Sequence, residues 1–140
     1  AFLKEKQDWI YTHREKALAA AEQKAANRLT EAERKAAVKR AAQMLAEKTA
    51  HFAKEMGVTY GRITIREQKT RWGSCSSAGN LNYNWKLVLM PERVMDYVVI
   101  HELAHRKEMN HSARFYAVVA QQMPDYKVWQ SWLKEHGREY

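Results

Sequence analysis

Three histidines at fixed spacing restrict what the second half of this 140-residue chain can fold into. His101 and His105 enclose Glu102 in the pattern His-Glu-x-x-His, and His111 follows six residues later. Side chains four residues apart lie one above the other on a helix, so the two imidazoles of His101 and His105 can reach one ion. Glu102 then lies beside that ion rather than among its ligands. The spacing predicts a helix that carries two of three metal ligands.

The third histidine requires the helix to end soon after His105. In a continued helix, His111 would lie about 9 Å further along the axis than His105. That separation is too large for two nitrogens that each bind one zinc ion at about 2 Å. We therefore predict that the helix ends between residues 106 and 110. Ser112 is a favourable N-cap for a following helix, which we expect over Ala113–Met123.

The composition narrows the class of protein. With 46% hydrophobic residues and no apolar run near the roughly 18 residues of a membrane span, we expect a soluble, cytoplasmic domain. Its single cysteine, Cys75, cannot form an internal disulfide, so we expect packing or a metal to provide stability. The formal net charge of +8 is divided evenly between residues 1–57 and 58–140. A nucleic-acid partner is therefore only weakly supported, and the sequence does not indicate an oligomeric state.

The first 57 residues favour helix, because they are rich in Ala, Lys, Glu and Gln and contain no proline. Thr30 and Glu33 match a capping box, which divides this region into helices over residues 3–28 and 31–56, with Gly57 ending the second. Residues 1–29 are then expected to form an N-terminal helical arm. Residues 30–140 are expected to form one further domain.

The middle of the chain changes to strand-like alternation. Residues 62–66 and 81–89 alternate polar and apolar side chains, and a Ser-Ser-Ala-Gly-Asn turn at 76–80 precedes the second segment. The simplest pairing is an antiparallel hairpin with a loosely paired middle around residues 70–75. Pro91 then opens the helix that carries His101. Asp125 can cap a last helix, whose Trp129 and Trp132 we expect to pack on the sheet.

Several linked motifs resemble a known family. They are Thr70-Arg71-Trp72-Gly73-Ser74-Cys75, Asn82 with Asn84-Trp85, Pro91, Asp96-Tyr97-Val98-Val99 and the segment from His101 to Phe115. The chain resembles the YgjP-like zinc metallopeptidases, which are related to WLM and SprT-like domains. The resemblance implies a zincin-like α+β fold, with a small antiparallel sheet, an active-site helix and a backing helix after the N-terminal arm. It also implies one Zn²⁺ per chain held by His101, His105 and His111, with Glu102 as general base.

The predicted function is hydrolysis of peptide bonds in a peptide or protein substrate. A metal-activated water would give its proton to Glu102. The oxyanion would need a second donor, for which Tyr116, Tyr126 and Arg71 are candidates, although a buried core position is the simpler interpretation of either tyrosine.

Other assignments also stay open. Residues 71–75 could form an edge strand that binds an extended peptide, with Trp72 either in the cleft wall or in the core. A DNA-associated protease of the WLM or SprT type and a non-catalytic metal-binding module are alternative functions. We place His13, His51 and His136 outside the site.

Overall fold

A computed structural model describes residues 24–68 and 71–140. Four helices and a small sheet confirm the predicted α+β class. In chain order the elements are a 3-10 turn Ala25–Arg28, α1 (Glu31–Met56), β1 (Ile63–Arg66), β2 (Gly73–Cys75), β3 (Leu81–Asn84), a 3-10 helix Trp85–Leu89, α2 (Glu92–Ala104), α3 (Ala113–Gln122), α4 (Tyr126–His136) and a 3-10 turn Gly137–Glu139.

The capping box predicts the start of α1 correctly. The Thr30 hydroxyl accepts a hydrogen bond from the Glu33 N–H at 3.1 Å, and the Glu33 carboxylate accepts one from the Thr30 N–H at 2.9 Å. The helix ends at Gly57, whose φ of 70° is left-handed. Most of the helix predicted over 3–28 lies outside the described residues. Ala26, near its end, is buried in the core, and the boundary at residue 29 stays a prediction.

The sheet is mixed, in the order β1-β3-β2. β2 pairs antiparallel with β3, whereas β1 pairs parallel with β3, with Ile63 opposite Leu81. The predicted antiparallel pairing of 62–66 with 81–89 is therefore wrong. The turn at 76–80 joins β3 to the segment directly before it, where the Gly79 N–H bonds to the Ser76 carbonyl at 2.9 Å. Because β2 occupies one edge of β3, β1 pairs along the other edge.

The third strand is shorter than predicted. It ends at Asn84, and residues 85–89 form a 3-10 helix. The Asn84 carboxamide accepts a hydrogen bond from the Lys86 N–H at 3.0 Å and donates one to the Gln68 carbonyl at 2.9 Å. Trp85 and Leu87 are buried in this helix. Alternation over five residues therefore did not distinguish the strand from the 3-10 turn.

Helix α2 lies at the centre of the fold, and ten of its thirteen residues are buried. α1 lies against α2 and against the 3-10 helix at 85–89, while α3 and α4 also contact α2. Trp129 and Trp132 are half-buried on α4, which packs mainly on α2 rather than on the sheet as predicted. None of the described helices is both long and apolar enough to cross a membrane.

A buried ion pair connects α1 to α2. The Asp96 carboxylate, 6% exposed, lies 2.6 Å from Lys48 Nζ, and Arg93 approaches its other oxygen at 3.4 Å. Because Lys48→Met leaves this carboxylate buried beside the half-exposed Arg93 alone, we expect the free energy of unfolding to fall by about 2–3 kcal/mol. Chemical denaturation measures this change. The control Lys39→Met, on the exposed face of α1, should cost less than about 0.5 kcal/mol, and equal losses in both variants would contradict the assignment.

Candidate metal centre and cleft

The three predicted histidines come together at the end of α2. The helix ends at Ala104, slightly before the predicted interval, and the Glu108 N–H bonds back to the Ala104 carbonyl at 3.0 Å. The chain then returns His111 to the helix, so that one ligand atom from each histidine lies within 4.8 Å of the others. Nε2 of His101 and Nε2 of His111 are 3.3 Å apart. The helix break required by the spacing is confirmed.

Side-chain contacts hold the turn after α2. Arg106 donates hydrogen bonds to the Thr59 carbonyl at 2.8 Å and to the Ser77 carbonyl at 3.1 Å, which connects the turn to two other loops. Nδ1 of His105 lies 3.3 Å from the Glu108 carbonyl. The Ser112 hydroxyl accepts a bond from the Phe115 N–H at 3.4 Å and caps α3, as predicted. His111 is thus placed between two anchored segments.

One buried ring supports all three imidazoles. The ring centroid of Phe115 lies 4.8 Å from that of His101, 4.5 Å from that of His105 and 4.9 Å from that of His111, and Phe115 is 0% exposed. Sequence analysis included Phe115 in the family-like segment that begins at His101 but missed this contact. Phe115 stands four residues after His111, in the first turn of α3, and this spacing could have indicated that the two rings are in contact.

Tyr97 is a further residue that sequence analysis missed. Its hydroxyl oxygen lies 3.3 Å from Nδ1 of His101, one helical turn away. Nε2 of His101 faces His111, so Nδ1 is the ring nitrogen that contacts the Tyr97 hydroxyl. Burial raises the pKa of Tyr97 to about 12, so the hydroxyl stays protonated. The four-residue spacing between Tyr97 and His101 could have indicated the pair.

The site is buried enough to change its protonation. Burial, followed by the influence of His105 and His111, lowers the pKa of His101 to about 4. Burial also lowers the pKa of His105. Both imidazoles are therefore neutral near pH 7, the form that binds metals. Burial raises the pKa of Glu102 to about 8, and the positive charge of Arg71 acts in the opposite direction.

A cleft of about 430 Å³ opens over these groups. Glu102, the three histidines, Tyr97, β2 and the predicted Arg71 and Trp72 line it. Tyr116 stacks on His111 with 6.3 Å between ring centroids, and Tyr126 stacks on Tyr116 at 5.8 Å. Within the described part of the chain, neither tyrosine belongs to the cleft lining. The structure thus brings Arg71 and Trp72 to the cleft and places the two tyrosines in a stack beside His111.

The β2 strand passes very close to Glu102. A Cβ atom built on Gly73 would lie 3.1 Å from Cγ and Oε2 of Glu102 and 3.1 Å from Val98. These distances are tighter than ordinary van der Waals contact. Glycine at this position therefore allows the strand and the carboxylate to share the cleft wall.

β2 is an edge strand, and one of its two edges is not paired with β3. The Trp72 carbonyl accepts a bond from the Asn84 N–H, and the Ser76 N–H donates to the Asn80 carbonyl, both at 2.9 Å. Because pairing alternates along antiparallel strands, the backbone groups of Gly73 and Cys75 point away from β3. Among residues 24–68 and 71–140, β2 pairs with no strand on that side.

Comparison with protein families decides the class to which this centre belongs. The YgjP-like metallopeptidase domain matches residues 19–136, most of the chain. The chain belongs to the YgjP-like metallopeptidase family. It is accordingly a peptidase that uses a metal, and its substrates are peptides or proteins. The resemblance noted in the sequence is confirmed.

Two crystal structures of metallopeptidase zymogens share the fold. Abylysin of Pyrococcus abyssi superposes with a TM-score of 0.60 and 24% identity, covering 67% of this chain and 96% of its own. Jannalysin of Methanocaldococcus jannaschii gives a TM-score of 0.57 and 18% identity, covering 65% and 94%. At these identities the likeness concerns the fold, and it agrees with the predicted zincin-like architecture. Among curated proteins no relative was found.

The contact between Gly73 and Glu102 gives a direct test. The methyl group of Gly73→Ala would displace the Glu102 carboxylate by a few tenths of an ångström, so we expect kcat/KM to fall at least about tenfold. The control Gly57→Ala has no atom within 4 Å of the added Cβ but is strained at its positive φ. It should lower stability by about 1 kcal/mol and leave kcat/KM unchanged. Wild-type kcat/KM in Gly73→Ala would contradict the close contact.

Proposed function

We propose that the chain is a zinc-dependent peptidase in which His101, His105 and His111 bind one zinc ion and Glu102 is the general base. The observation that carries the proposal is the 3.3 Å separation between Nε2 of His101 and Nε2 of His111, with Glu102 buried beside them. The family supplies the reaction class, and the residues of this chain supply the assignment of roles.

The donor set fits a zinc ion. Two nitrogens bound at about 2.0–2.1 Å to a tetrahedral zinc ion are about 3.3–3.4 Å apart, which matches the distance between His101 and His111. The contact of His105 Nδ1 with the Glu108 carbonyl leaves Nε2 of His105 as its ligand atom. Three histidine ligands leave a fourth position open, which is typical of catalytic rather than structural zinc sites.

Glu102 is placed beside this donor set. Its Oε1 lies 4.0 Å from Nε2 of His105. When bound, the ion supplies a Lewis acid that polarises the scissile carbonyl and lowers the pKa of a water molecule to about 7. Glu102 would accept the proton of the attacking water and return it to the leaving amine. Burial disfavours the Glu102 carboxylate, and a cation at the histidines favours it, so the base becomes available where the metal is present.

The open edge of β2 supports a mode of substrate binding. An extended peptide can form backbone hydrogen bonds with Gly73 and Cys75, because their N–H and C=O groups point away from β3. Trp72 then forms part of the cleft wall. Arg71 lines the cleft and acts electrostatically on Glu102, which supports it as the second oxyanion donor over Tyr116 and Tyr126.

Two alternatives remain for the experiments to separate. A DNA-associated protease of the WLM or SprT type would show DNA binding that weakens steeply between about 50 and 200 mM salt. A metal-binding module without turnover would hold the ion and cleave nothing. Zinc as the resident metal and a cytoplasmic location stay predictions.

Metal affinity tests the ligand assignment. We expect His111→Ala to lower zinc affinity by more than about 100-fold, because it removes one of three ligands. Tyr97→Phe should lower it by about 10- to 100-fold, because His101 loses the partner that orients its ring. Competition with a chromogenic chelator measures both values. His51→Ala, an exposed histidine of α1, is the control and should match wild type, whereas unchanged affinity in His111→Ala would refute the three-histidine site.

Turnover tests the role of Glu102. With an unstructured protein such as casein as substrate, we expect the Glu102→Gln variant to keep its bound zinc. Its kcat should fall by at least about 100-fold, because the amide cannot accept the proton that the carboxylate takes. Elemental analysis of the same samples verifies metal content. The control Glu92→Gln changes an exposed acid on the same helix and should retain activity. Metal-loaded protein without Glu102-dependent cleavage would favour the non-catalytic module.

A further inference from the structure

A second cavity adjoins the catalytic cleft. It encloses about 630 Å³ and shares two wall residues with the cleft, Trp72 and Leu133. Trp72 is held at this boundary by close packing, because a Cβ built on Gly137 would lie 3.1 Å from its indole ring. The tryptophan therefore has the catalytic cleft on one side and the second cavity on the other. We call the second cavity the distal groove.

Among the described residues, the charged side chains that line the distal groove are mostly basic. Four basic side chains line it, together with one acidic side chain, Glu67; the basic residues are Lys24, Lys86, Lys134 and Arg138. The Glu67 carboxylate already accepts hydrogen bonds from Arg34 at 2.8 Å and from the Trp85 indole at 2.8 Å. Its other oxygen lies 3.8 Å from Nζ of Lys86, so the Glu67 charge is shared between Arg34, which is outside the lining, and Lys86. An excess of positive charge remains toward the groove.

Nearby acidic residues do not reverse this excess. Glu139 bonds to Nδ1 of His136 at 2.7 Å, and Glu135 approaches Nε2 of the same ring at 3.9 Å, so both contact His136 rather than line the groove. On the catalytic side of Trp72, Arg71 adds another cation to the cleft. The positive lining therefore continues from the cleft into the groove.

We infer that the distal groove binds acidic side chains of the polypeptide substrate, and that the peptidase prefers bonds with clustered Asp or Glu residues on one side of the cleaved bond. The inference rests on the proposed function, because it takes the substrate to lie along β2. A peptide paired with Gly73 and Cys75 reaches Trp72 at the start of the strand, and the groove begins on the far side of that residue. Charge complementarity then favours acidic side chains of the substrate in the groove.

The groove predicts a measurable preference. Two peptides that differ only in a flank of three Glu or three Gln should differ in kcat/KM by about 5- to 20-fold in favour of Glu, at 50 mM salt with zinc-loaded protein. In the variant Lys134→Glu/Arg138→Glu this ratio should fall to one or below, because attraction becomes repulsion. Raising the salt to 500 mM should shrink the wild-type ratio, since exposed charges are screened. Product mass spectra report on which side of the bond the acids lie.

A matched control separates local from global charge. Lys39→Glu/Lys127→Glu changes the net charge by the same amount at exposed residues outside the groove lining. It should keep the wild-type ratio. An equal drop in both double variants would overturn the inference, because it would assign the preference to net charge alone. Circular dichroism of each variant verifies folding, and the salt series on wild type needs no variant.

A binding measurement keeps this test independent of turnover. Fluorescence anisotropy with the Glu102→Gln protein should show tighter binding of the Glu-flanked peptide, and the added charge reversal at Lys134 and Arg138 should abolish the difference. Equal binding of both peptides would overturn the groove inference even where Glu102-dependent cleavage upholds the proposed function. Preferred binding of the Glu-flanked peptide without any cleavage would support the groove inference and contradict the proposed function. Tighter binding of a single-stranded oligonucleotide, lost with the same two cations, would overturn the inference in favour of nucleic acid.

Discussion

The convergence of three imidazoles at the end of α2 is the constraint on which the rest of the fold depends. Two of them come from one helix face, but the third requires α2 to end at Ala104 and the chain to return within seven residues. Arg106 anchors that return to two loops, and Phe115 provides one apolar surface under all three rings. The three imidazoles are therefore held together by the end of α2, by the anchored turn that follows it and by the packing of Phe115. A helix that continued would separate His111 from His105 by about 9 Å along its axis.

The same centre limits what can approach it from the sheet. Glu102 is buried on the face of α2 turned to β2, where a Cβ on the facing residue of the strand would lie 3.1 Å from its carboxylate. Gly73 avoids that close contact, while Trp72 and Ser76 on either side of β2 keep their hydrogen bonds to Asn84 and Asn80. The result is a strand whose outer edge borders the cleft at the depth of Glu102. Close packing thus couples the buried acid to the surface along which a peptide could bind.

The sequence predicted local features more reliably than pairings. The capping box at Thr30 and the histidine spacing depend on residues a few positions apart, and the structure matches them. The partner of β1 was predicted wrongly, because alternation in Ile63–Arg66 is equally compatible with a parallel or an antiparallel neighbour. Tyr97 was overlooked although it lies one helical turn before His101, since a buried tyrosine in a helix usually indicates core packing.

The basic residues show most clearly why a distribution along the sequence can mislead about a distribution in space. The basic excess is divided evenly along the chain, and on that basis it indicates an ordinary solvated surface. Folding, however, brings together cations from three separate segments, with Lys24 before α1, Lys86 after β3, and Lys134 and Arg138 at the end of α4. Of the nearby acidic residues, Glu67 lies between Arg34 and Lys86, and Glu139 pairs with His136. An even distribution in sequence is therefore compatible with a strongly local field beside the catalytic cleft, because electrostatic potential depends on distance in space.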